Sequence, residues 1–367
     1  MKSLIFALIA GVAAGAGLLP RAAAQTAASD VAQFSQIVRN YNLVTFGNAN
    51  LASIGSDTEG PLAVGGNLSL SGSPLVNLAQ FQSSSDPALY VAGQLSIANQ
   101  ATATLNHGYA SLPGMTGLGS WDSTQKRYTT PSANGGGLLS TINAYNPVTN
   151  PRAGLDPRSN PAPASWNFAA LKTQAVAVSN SLAGLSATGT ISVANNSLVF
   201  DAGGHTGIVV FDLDASLLNG NTYNGSQTFS NLSFTIPTST DFVVNVFNAN
   251  GKTLFGTGSG INFNPPGGTA GASQLLWNFV TGASDISTTL GNGGEFYGSV
   301  LAPMVNLANA SNAPLNGQIV ADSIVYANAP LYYTAFVAIP EPAAGAAVLG
   351  LLALAFARRF RRRALSA

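Results

Sequence analysis

The sequence contains no cysteine. This absence excludes disulfide bonds, thiolate nucleophiles and zinc sites built from cysteine. Charge is also scarce, because charged residues make up 8% of the 367 residues, against about 25% in an ordinary globular protein. Hydrophobic residues still make up 46%, so the chain can bury a core and does not belong to the disordered class. Its stability must come from core burial, backbone ladders and small polar side chains.

The formal net charge of zero conceals an uneven distribution. Half of the 14 basic residues lie in the two terminal segments, and the part between them has seven basic and thirteen acidic residues, a net charge near −6. A nucleic-acid-binding protein needs a basic face to neutralise phosphates. The composition therefore predicts that nucleic acid is not a partner.

The first 24 residues have the order of a secretory signal peptide. Lys2 precedes an apolar run that ends at Leu19, and small residues follow in Ala22-Ala23-Ala24 before Gln25. This order is typical of a segment removed by signal peptidase. We expect an exported protein with residues 1–24 as signal peptide and residues 25–338 as the body.

Residues 339–367 form a second targeting segment. Pro340-Glu341-Pro342 precedes an uncharged run over 343–357, and an arginine cluster follows it: Arg358, Arg359, Arg361, Arg362 and Arg363. The run would span roughly 22 Å as a helix, less than the ~30 Å hydrocarbon core of a membrane. With snorkelling arginines it can still insert, and the arginines would stay cytoplasmic.

This tail resembles the PEP-CTERM sorting signal of Gram-negative bacteria. The resemblance implies recognition by exosortase, cleavage near Pro340–Pro342, and release of the body or its transfer to an envelope component. The alternative is a plain C-terminal transmembrane anchor.

The body repeats itself twice. PLAVGGNLSL (61–70) matches ALYVAGQLSI (88–97), and FYGSVLAPMVNL (296–307) matches LNGQIVADSIVY (315–326). The matched positions are Leu62 with Leu89, Val64 with Val91, Leu68 with Leu95, Leu70 with Ile97, Phe296 with Leu315, Gly298 with Gly317, Val300 with Ile319, Leu301 with Val320, Ala302 with Ala321, and Val305 with Ile324.

Such repeats predict stacked rungs of short parallel strands. One unit cannot bury its apolar face alone, whereas stacked copies form a continuous core. Glycine at the bends permits positive φ and close backbone approach. We expect a mainly β protein, an irregular right-handed β-solenoid with one long amphipathic helix packed along it. The alternative is an antiparallel β-sandwich.

The remaining segments give coarser expectations. Asn167 can cap an amphipathic helix over about 167–186, and Asp30 can cap a short helix whose apolar positions follow it. Residues 108–166 are rich in Gly, Pro, Ser, Thr and Asn and are interpreted as a surface excursion. TIPTSTDFVVNVFNA (235–249) is interpreted as a pair of adjacent strands.

Several phrases resemble the choice-of-anchor A family of bacterial surface proteins. They are FGNANLASIGSDTEGPLAVGGNLSL (46–70), QLLWNF (274–279), EFYGSVLAPMVNL (295–307) and LNGQIVADSI (315–324). The resemblance implies an envelope or matrix protein without catalytic activity, carried by one of several anchors. The order of rungs, helix and rungs also resembles ice-binding β-solenoids. An ice-binding face would need a regular threonine array, and TATL (102–105) and STT (287–289) are short and isolated.

Few residues suggest chemistry. His107 and His205 lie beside glycine and are interpreted as turn residues. The acidic pairs Asp57 and Glu59, and Asp212 and Asp214 with Asp201 nearby, are weak calcium candidates; turn capping is the favoured interpretation of Asp57 and Glu59. A glycosidase also uses two carboxylates, but nothing here places two across a cleft.

The sequence thus favours an exported, non-enzymatic surface or extracellular-matrix protein with a structural or adhesive role. It has no expected cofactor or catalytic residue. Signal peptidase and exosortase are the expected processing partners, and extracellular polysaccharide or the cell envelope is the expected contact. Two alternatives remain open: an ice-binding or carbohydrate-binding module that uses one solenoid face, and a polysaccharide-cleaving enzyme that uses the Asp pairs.

Overall fold

The computed structural model describes residues 18–38, 40–52, 58–71, 87–99, 101–117, 119–163, 166–235, 240–255, 262–264, 268–280, 286–290, 295–309 and 314–338. Its helices are α1 (Leu18–Val38) and α2 (Phe168–Ala183). Its strands up to α2 are β1 (Leu43–Thr45), β2 (Ala49–Ala52), β3 (Leu62–Val64), β4 (Leu68–Ser71), β5 (Leu89–Val91), β6 (Leu95–Ile97), β7 (Thr102–Thr104), β8 (Ala110–Ser111), β9 (Ser120–Asp122), β10 (Arg127–Thr129) and β11 (Leu138–Ser140).

The strands after α2 are β12 (Thr190–Ala194), β13 (Ser197–Asp201), β14 (Gly207–Asp214), β15 (Leu218–Asn219), β16 (Thr222–Tyr223), β17 (Gln227–Thr228), β18 (Asn231–Thr235), β19 (Thr240–Phe247), β20 (Lys252–Leu254), β21 (Asn262–Asn264), β22 (Leu275–Phe279), β23 (Ile286–Leu290), β24 (Phe296–Tyr297), β25 (Ser299–Asn309), β26 (Leu315–Asn316), β27 (Ile319–Ala327) and β28 (Leu331–Tyr332). The protein is mainly β and is built around parallel ladders, as the repeats predict.

The N-terminal repeat forms two adjacent rungs of a β-solenoid. Strand β3 pairs in parallel with β5, and β4 pairs in parallel with β6. All four predicted matches are register partners: Leu62 with Leu89, Val64 with Val91, Leu68 with Leu95 and Leu70 with Ile97. Each of these side chains is at most 1% exposed, so the matched aliphatic positions form the inner stack of the solenoid.

The C-terminal repeat also stacks, with one correction. The predicted matches confirmed by the ladders are Phe296 with Leu315, Val300 with Ile319, Leu301 with Val320, and Ala302 with Ala321. Beyond Ala302 the register shifts, and Ile324 pairs with Leu307 instead of Val305. The shift is an irregularity in β25 around Pro303, whose missing N–H cannot contribute to a ladder. The prediction for Val305 was therefore wrong by two residues.

The main ladder has a strand order that differs from the chain order. It runs β14-β19-β22-β25-β27-β1-β3-β5-β8. The chain therefore starts in the middle and builds rungs out to β8. It then returns along α2 to β14 at the opposite end and builds inward until the last long strand, β27, pairs with the first, β1.

The 235–249 segment does not form the predicted strand pair. The segment contains β19 and only the last residue of β18, Thr235. These strands lie in different sheets: β18 pairs with β13 and β21, and β19 pairs with β14 and β22. The alternating apolar pattern identified strands correctly. It could not identify the partners, because each strand pairs with its equivalent on the neighbouring rungs.

Helix α2 confirms the predicted amphipathic helix. The Asn167 side chain accepts a hydrogen bond from the N–H of Ala170 at 3.1 Å, which satisfies one of the free donors of the first turn. Its buried residues pack on the outer surface of the main ladder against a second hydrophobic cluster that includes Val243, Leu276 and Val320. The main ladder is thus covered on both faces, which explains its continuous apolar strands.

Helix α1 differs from the expectation. It begins at Leu18, so Asp30 lies inside it and is not its N-cap. Val31, Phe34 and Ile37 are fully buried in the cluster shared with α2, so tertiary packing stabilises the part of the helix that follows Asp30. The helix crosses the predicted signal-peptidase site, and cleavage there stays a prediction. In the described part of the chain, neither helix is long and apolar enough to cross a membrane.

Residues 108–166 are not merely a surface excursion. Strands β7, β11, β10 and β9 form a separate sheet, and Tyr128, Leu139 and Ala153 from this segment are buried in the solenoid core. Asn160 Nδ2 donates to the carbonyl of Ala110 in β8 at 2.8 Å. The segment closes the open end of the core, which a solenoid needs for solubility.

The corner glycines of the repeats serve close approach. A Cβ on Gly66 would lie 2.7 Å from the carbonyl carbon of Gly47, and one on Gly93 would lie 2.6 Å from the carbonyl oxygen of Gly66. Stacked corners therefore leave no room for a side chain. Gly298 needs glycine for a further reason, because its φ of +103° is a backbone conformation that other residues rarely adopt.

Candidate binding face

A second parallel ladder forms one side of the solenoid. Its strand order is β20-β23-β25-β27-β2-β4-β6, with β25 and β27 contributing their C-terminal halves. One row of register partners crosses all seven strands and points away from the core. Its members are Thr253, Thr289, Ala308, Val325, Asn50, Ser69 and Ser96. We call this row the polar face.

The polar face is uncharged and built from small side chains. Asn50 and Val325 are exposed, Val325 by 54%, and the other five members are half-buried by their neighbours. Adjacent strands lie about 4.8 Å apart, so seven strands give a row of roughly 29 Å. Five members carry a hydroxyl or amide group that can donate and accept hydrogen bonds, and the two between Thr289 and Asn50, Ala308 and Val325, are apolar. The row supplies no general acid, general base or nucleophile with an activating partner.

Alternation of residue type creates this face. Strand β4 reads Leu-Ser-Leu-Ser, with both leucines buried and both serines half-buried. Successive strand residues point to opposite sides of a sheet, so aliphatic residues anchor the ladder and polar residues face outward. The two threonines, Thr253 and Thr289, are register partners on adjacent strands, whereas the threonines of TATL lie on β7 in the capping sheet. The threonine array therefore extends over two strands of this face.

A ladder of side-chain amides supports one edge of the polar face. Asn48 Oδ1 accepts from the N–H of Asn67 at 2.8 Å, and Asn67 Oδ1 accepts from the N–H of Gln94 at 2.8 Å. Gln94 Oε1 continues the ladder by accepting from the N–H of Thr116 at 3.3 Å. In each rung, the side-chain oxygen at this position accepts a hydrogen bond from a backbone N–H of the next rung, and these bonds fix the distance between rungs. Sequence analysis missed this role, although N-L-S-L and Q-L-S-I in the repeats carried the signal.

Buried amides also join the two halves of the solenoid. Asn42, fully buried before β1, donates to the carbonyl of Gly317 at 2.7 Å and accepts from the N–H of Gly60 at 3.2 Å. Gln318, before β27, donates to the carbonyl of Tyr41 at 2.7 Å and accepts from the N–H of Phe336 at 2.7 Å. These bonds hold the last rungs against the first, and the polar face crosses this junction without a break.

The acidic candidates do not converge. Asp57 lies outside the described residues. Glu59 accepts from the N–H of Tyr333 at 2.9 Å, and Asp214 accepts from the N–H of Ser216 at 2.9 Å to cap a 3-10 turn. Asp212 accepts from Asn245 Nδ2 at 3.1 Å.

The Asp214 pKa is lowered, first by hydrogen bonds from Ser216 and Asn248. Across the described residues, no group of three or more His, Asp or Glu side chains is arranged to hold a metal ion. Asp214 therefore has a structural role as a turn cap. Turn capping is the interpretation that the sequence favours for Asp57 and Glu59.

The other candidates are peripheral or undescribed. His107 and His205 are exposed in loops, as expected for turn residues. The sorting residues Pro340, Glu341 and Pro342, and the arginine cluster after them, lie outside the described residues, so the sorting signal stays a prediction. A core cavity of about 10 Å³, lined by residues such as Phe296, Ile324 and Tyr326, has space for about one water molecule and none for a substrate.

Comparisons with known proteins found one matching family and several similar solved structures. Residues 34–332 match the sequence model of the family described as "Putative Ice-binding-like adhesive domain". No curated protein matches the chain. Solved structures that resemble it include a glycosylated ice-binding protein, LeIBP, from an Arctic yeast, at 15% identity and a TM-score of 0.29, covering 83% of this chain and 94% of that one. An ice-binding protein from an Antarctic biological consortium has 11% identity and a TM-score of 0.28, covering 81% and 89%.

Proposed function

Because the chain belongs to the ice-binding-like adhesive domain family, we propose that it is an exported, non-enzymatic adhesive protein whose polar face contacts extracellular polysaccharide. The observation that carries the proposal is the uncharged row of seven register partners from Thr253 to Ser96. Sugar hydroxyls both donate and accept hydrogen bonds, as do serine, threonine and asparagine side chains. A row of roughly 29 Å offers many weak contacts in parallel, which suits adhesion to a polymer.

The terminal segments complete the proposal. Signal peptidase removes residues 1–24. The PEP-CTERM-like tail then holds the precursor in the inner membrane of a Gram-negative bacterium until exosortase cleaves it near Pro340–Pro342. The body reaches the cell surface or the extracellular matrix, as proposed for a choice-of-anchor A protein. Mass spectrometry of the mature C-terminus tests this step: a chain that ends near Glu341 supports sorting, and an intact arginine tail in the inner membrane refutes it.

Two matched valine variants test the polar face. Val325 is 54% exposed at the centre of the polar face, and Val337 is 58% exposed on the side covered by α1, next to Phe336, which packs on Phe34. We expect Val325→Lys to reduce binding on a glycan array at least tenfold, because it places a hydrated ammonium group in the uncharged row. Val337→Lys should bind as the unmodified chain does. Equal binding by both variants would show that the polar face is not the contact.

Ice binding is the second candidate. It is favoured by the regular strand spacing of the polar face and opposed by the restriction of its threonines to Thr253 and Thr289. A thermal-hysteresis assay separates the two: activity that Val325→Lys abolishes, without glycan binding, would replace polysaccharide by ice as the ligand. Cleavage of a polysaccharide that is lost in Asp212→Asn would instead establish an enzyme and refute the non-enzymatic proposal.

A further inference from the structure

The two ends of the solenoid carry surface charge of opposite sign. One end consists of β8 and the segment that closes it, residues 112–163, and we call it the basic cap. It holds four cations and two carboxylates, a net charge of +2: Lys126, Arg127, Arg152, Arg158, Asp122 and Asp156. The basic cap thus has four of the seven basic residues found between the terminal segments.

The opposite end has the reverse charge. It consists of β13, β14 and the neighbouring strand β20, and we call it the acidic end. Its half-buried or exposed charged side chains are Asp201, Asp212, Asp214 and Lys252, a net charge of −2. The two ends lie at the first and last of the nine strands of the main ladder, about 38 Å apart, which exceeds the ~8 Å Debye length at physiological salt. Within one molecule the two ends therefore cannot neutralise each other.

The cations of the basic cap are available to a partner. Arg158 forms an ion pair with Asp156 at 2.6 Å, but Arg127 and Arg152 are exposed and have no carboxylate within 4 Å among the described residues. Arg152 lies over the ring of Tyr109, which holds its guanidinium at the surface of the cap.

The carboxylates of the acidic end are equally available. Asp212 and Asp201 accept hydrogen bonds from neutral groups, the Asn245 amide and the Gly203 N–H. Neither forms an ion pair with a described residue.

Exposed apolar side chains accompany these charges. Val148 and Leu155 are 86% and 50% exposed on the basic cap, and Leu217, next to the end of β14, is 37% exposed. Each outer strand edge has at least one carbonyl already engaged: Gly189 donates to the carbonyl of Val210 in β14 at 3.0 Å, and Asn160 Nδ2 donates to that of Ala110 in β8 at 2.8 Å. A partner at either end would therefore meet these charged and apolar side chains.

We propose that copies of this chain associate head to tail, with the basic cap of one copy against the acidic end of the next. Such a contact is heterologous, so it leaves a free cap and a free acidic end and adds further copies in a line. Each exposed ion pair changes an association constant by about 1.5- to 5-fold, so the contact is weak and sensitive to salt. It would gather the polar faces of successive copies in one linear assembly.

Sedimentation velocity of the purified full chain at low and high salt tests the proposal. We expect the weight-average sedimentation coefficient to rise with protein concentration in 20 mM NaCl and to stop rising in 500 mM NaCl. Reversing the cap with Arg127→Glu and Arg152→Glu, or the acidic end with Asp201→Lys and Asp212→Lys, should weaken association at least about tenfold. Association that persists at high salt and in both variants would contradict the proposal and would indicate contact through the apolar C-terminal tail.

Complementation makes the test specific. The cap variant is acidic at both ends and the acidic-end variant is basic at both ends, so neither should associate alone, while an equimolar mixture should. Thermal melts establish whether each variant folds. If a variant does not fold, the salt dependence of association by the unmodified chain still tests the proposal. A chain that stays monomeric at all salt concentrations would overturn the proposal, as would one whose basic cap binds only an acidic polysaccharide such as polygalacturonate.

Discussion

Replacing Asn42 by alanine should destabilise the protein more than any exposed asparagine does. Asn42 is fully buried at the junction between β27 and β1. Its side-chain amide donates to the carbonyls of Gly317 at 2.7 Å and Tyr332 at 3.2 Å, and its oxygen accepts from the N–H of Gly60 at 3.2 Å. One side chain thus satisfies backbone groups on three other segments of the solenoid.

The magnitude follows from the groups that the substitution leaves without this partner. The Tyr332 carbonyl keeps a hydrogen bond from the N–H of Gly317 at 3.3 Å. The lost hydrogen bonds that matter are therefore those of the Gly60 N–H and the Gly317 carbonyl. Each buried polar group without a partner costs about 1–3 kcal/mol, so Asn42→Ala should lower the free energy of unfolding by about 2–6 kcal/mol. With an unfolding entropy of about 2.1 cal/mol/K per residue over about 300 residues, this corresponds to a loss of roughly 3–10 °C in Tm.

Differential scanning calorimetry measures this loss, with Asn50→Ala as the control. Asn50 is exposed on the polar face, and its substitution should change stability by about 0.5 kcal/mol or less. The junction joins rungs built before α2 to rungs built after it, so Asn42→Ala should also broaden the transition or split it in two. A single unbroadened transition with a Tm within 1 °C of the unmodified chain would refute the assigned role of Asn42.

Three further predictions concern single sites. Burial raises the Asp30 pKa above 3.8, and a hydrogen bond from Ser181 in α2 offsets part of this shift. The stability that Asp30 contributes is therefore present below pH 3.8 and is lost as pH rises through its pKa in the folded protein. Asp30→Asn should raise Tm at pH 7 and leave it unchanged at pH 3. Gly66→Ala would place a Cβ 2.8 Å from the carbonyl oxygen of Gly47 and should cost about 1–3 kcal/mol in urea unfolding. Burial and the hydrogen bond to Glu295 raise the Tyr297 pKa from 10.0 to about 12. The stability that Tyr297 contributes should therefore be present below pH 10 and be lost as pH rises to about 12. Glu295→Gln should lower the Tyr297 pKa, which an ultraviolet titration measures.

The candidate site was only partly visible in the sequence. The alternating Leu and Ser of β4 and β6 indicate an outward polar side on each rung, because alternation is local and needs no knowledge of partners. Which side chains form one row depends on register across seven strands, and the shift beyond Ala302 moved that register by two residues. The row from Thr253 to Ser96 therefore could not be written from the sequence.

The sequence by itself determined the stacked rungs and α2. Repeated aliphatic positions such as Leu62 and Leu89 require a copy above or below them, and the stripe of α2 with its Asn167 cap fixes a helix from a few neighbouring residues. Only the tertiary structure decided that β27 closes on β1 and that residues 112–163 form a cap. These features depend on contacts between residues far apart in the chain, such as the hydrogen bond from Asn42 to Gly317, and local periodicity carries no information about such partners.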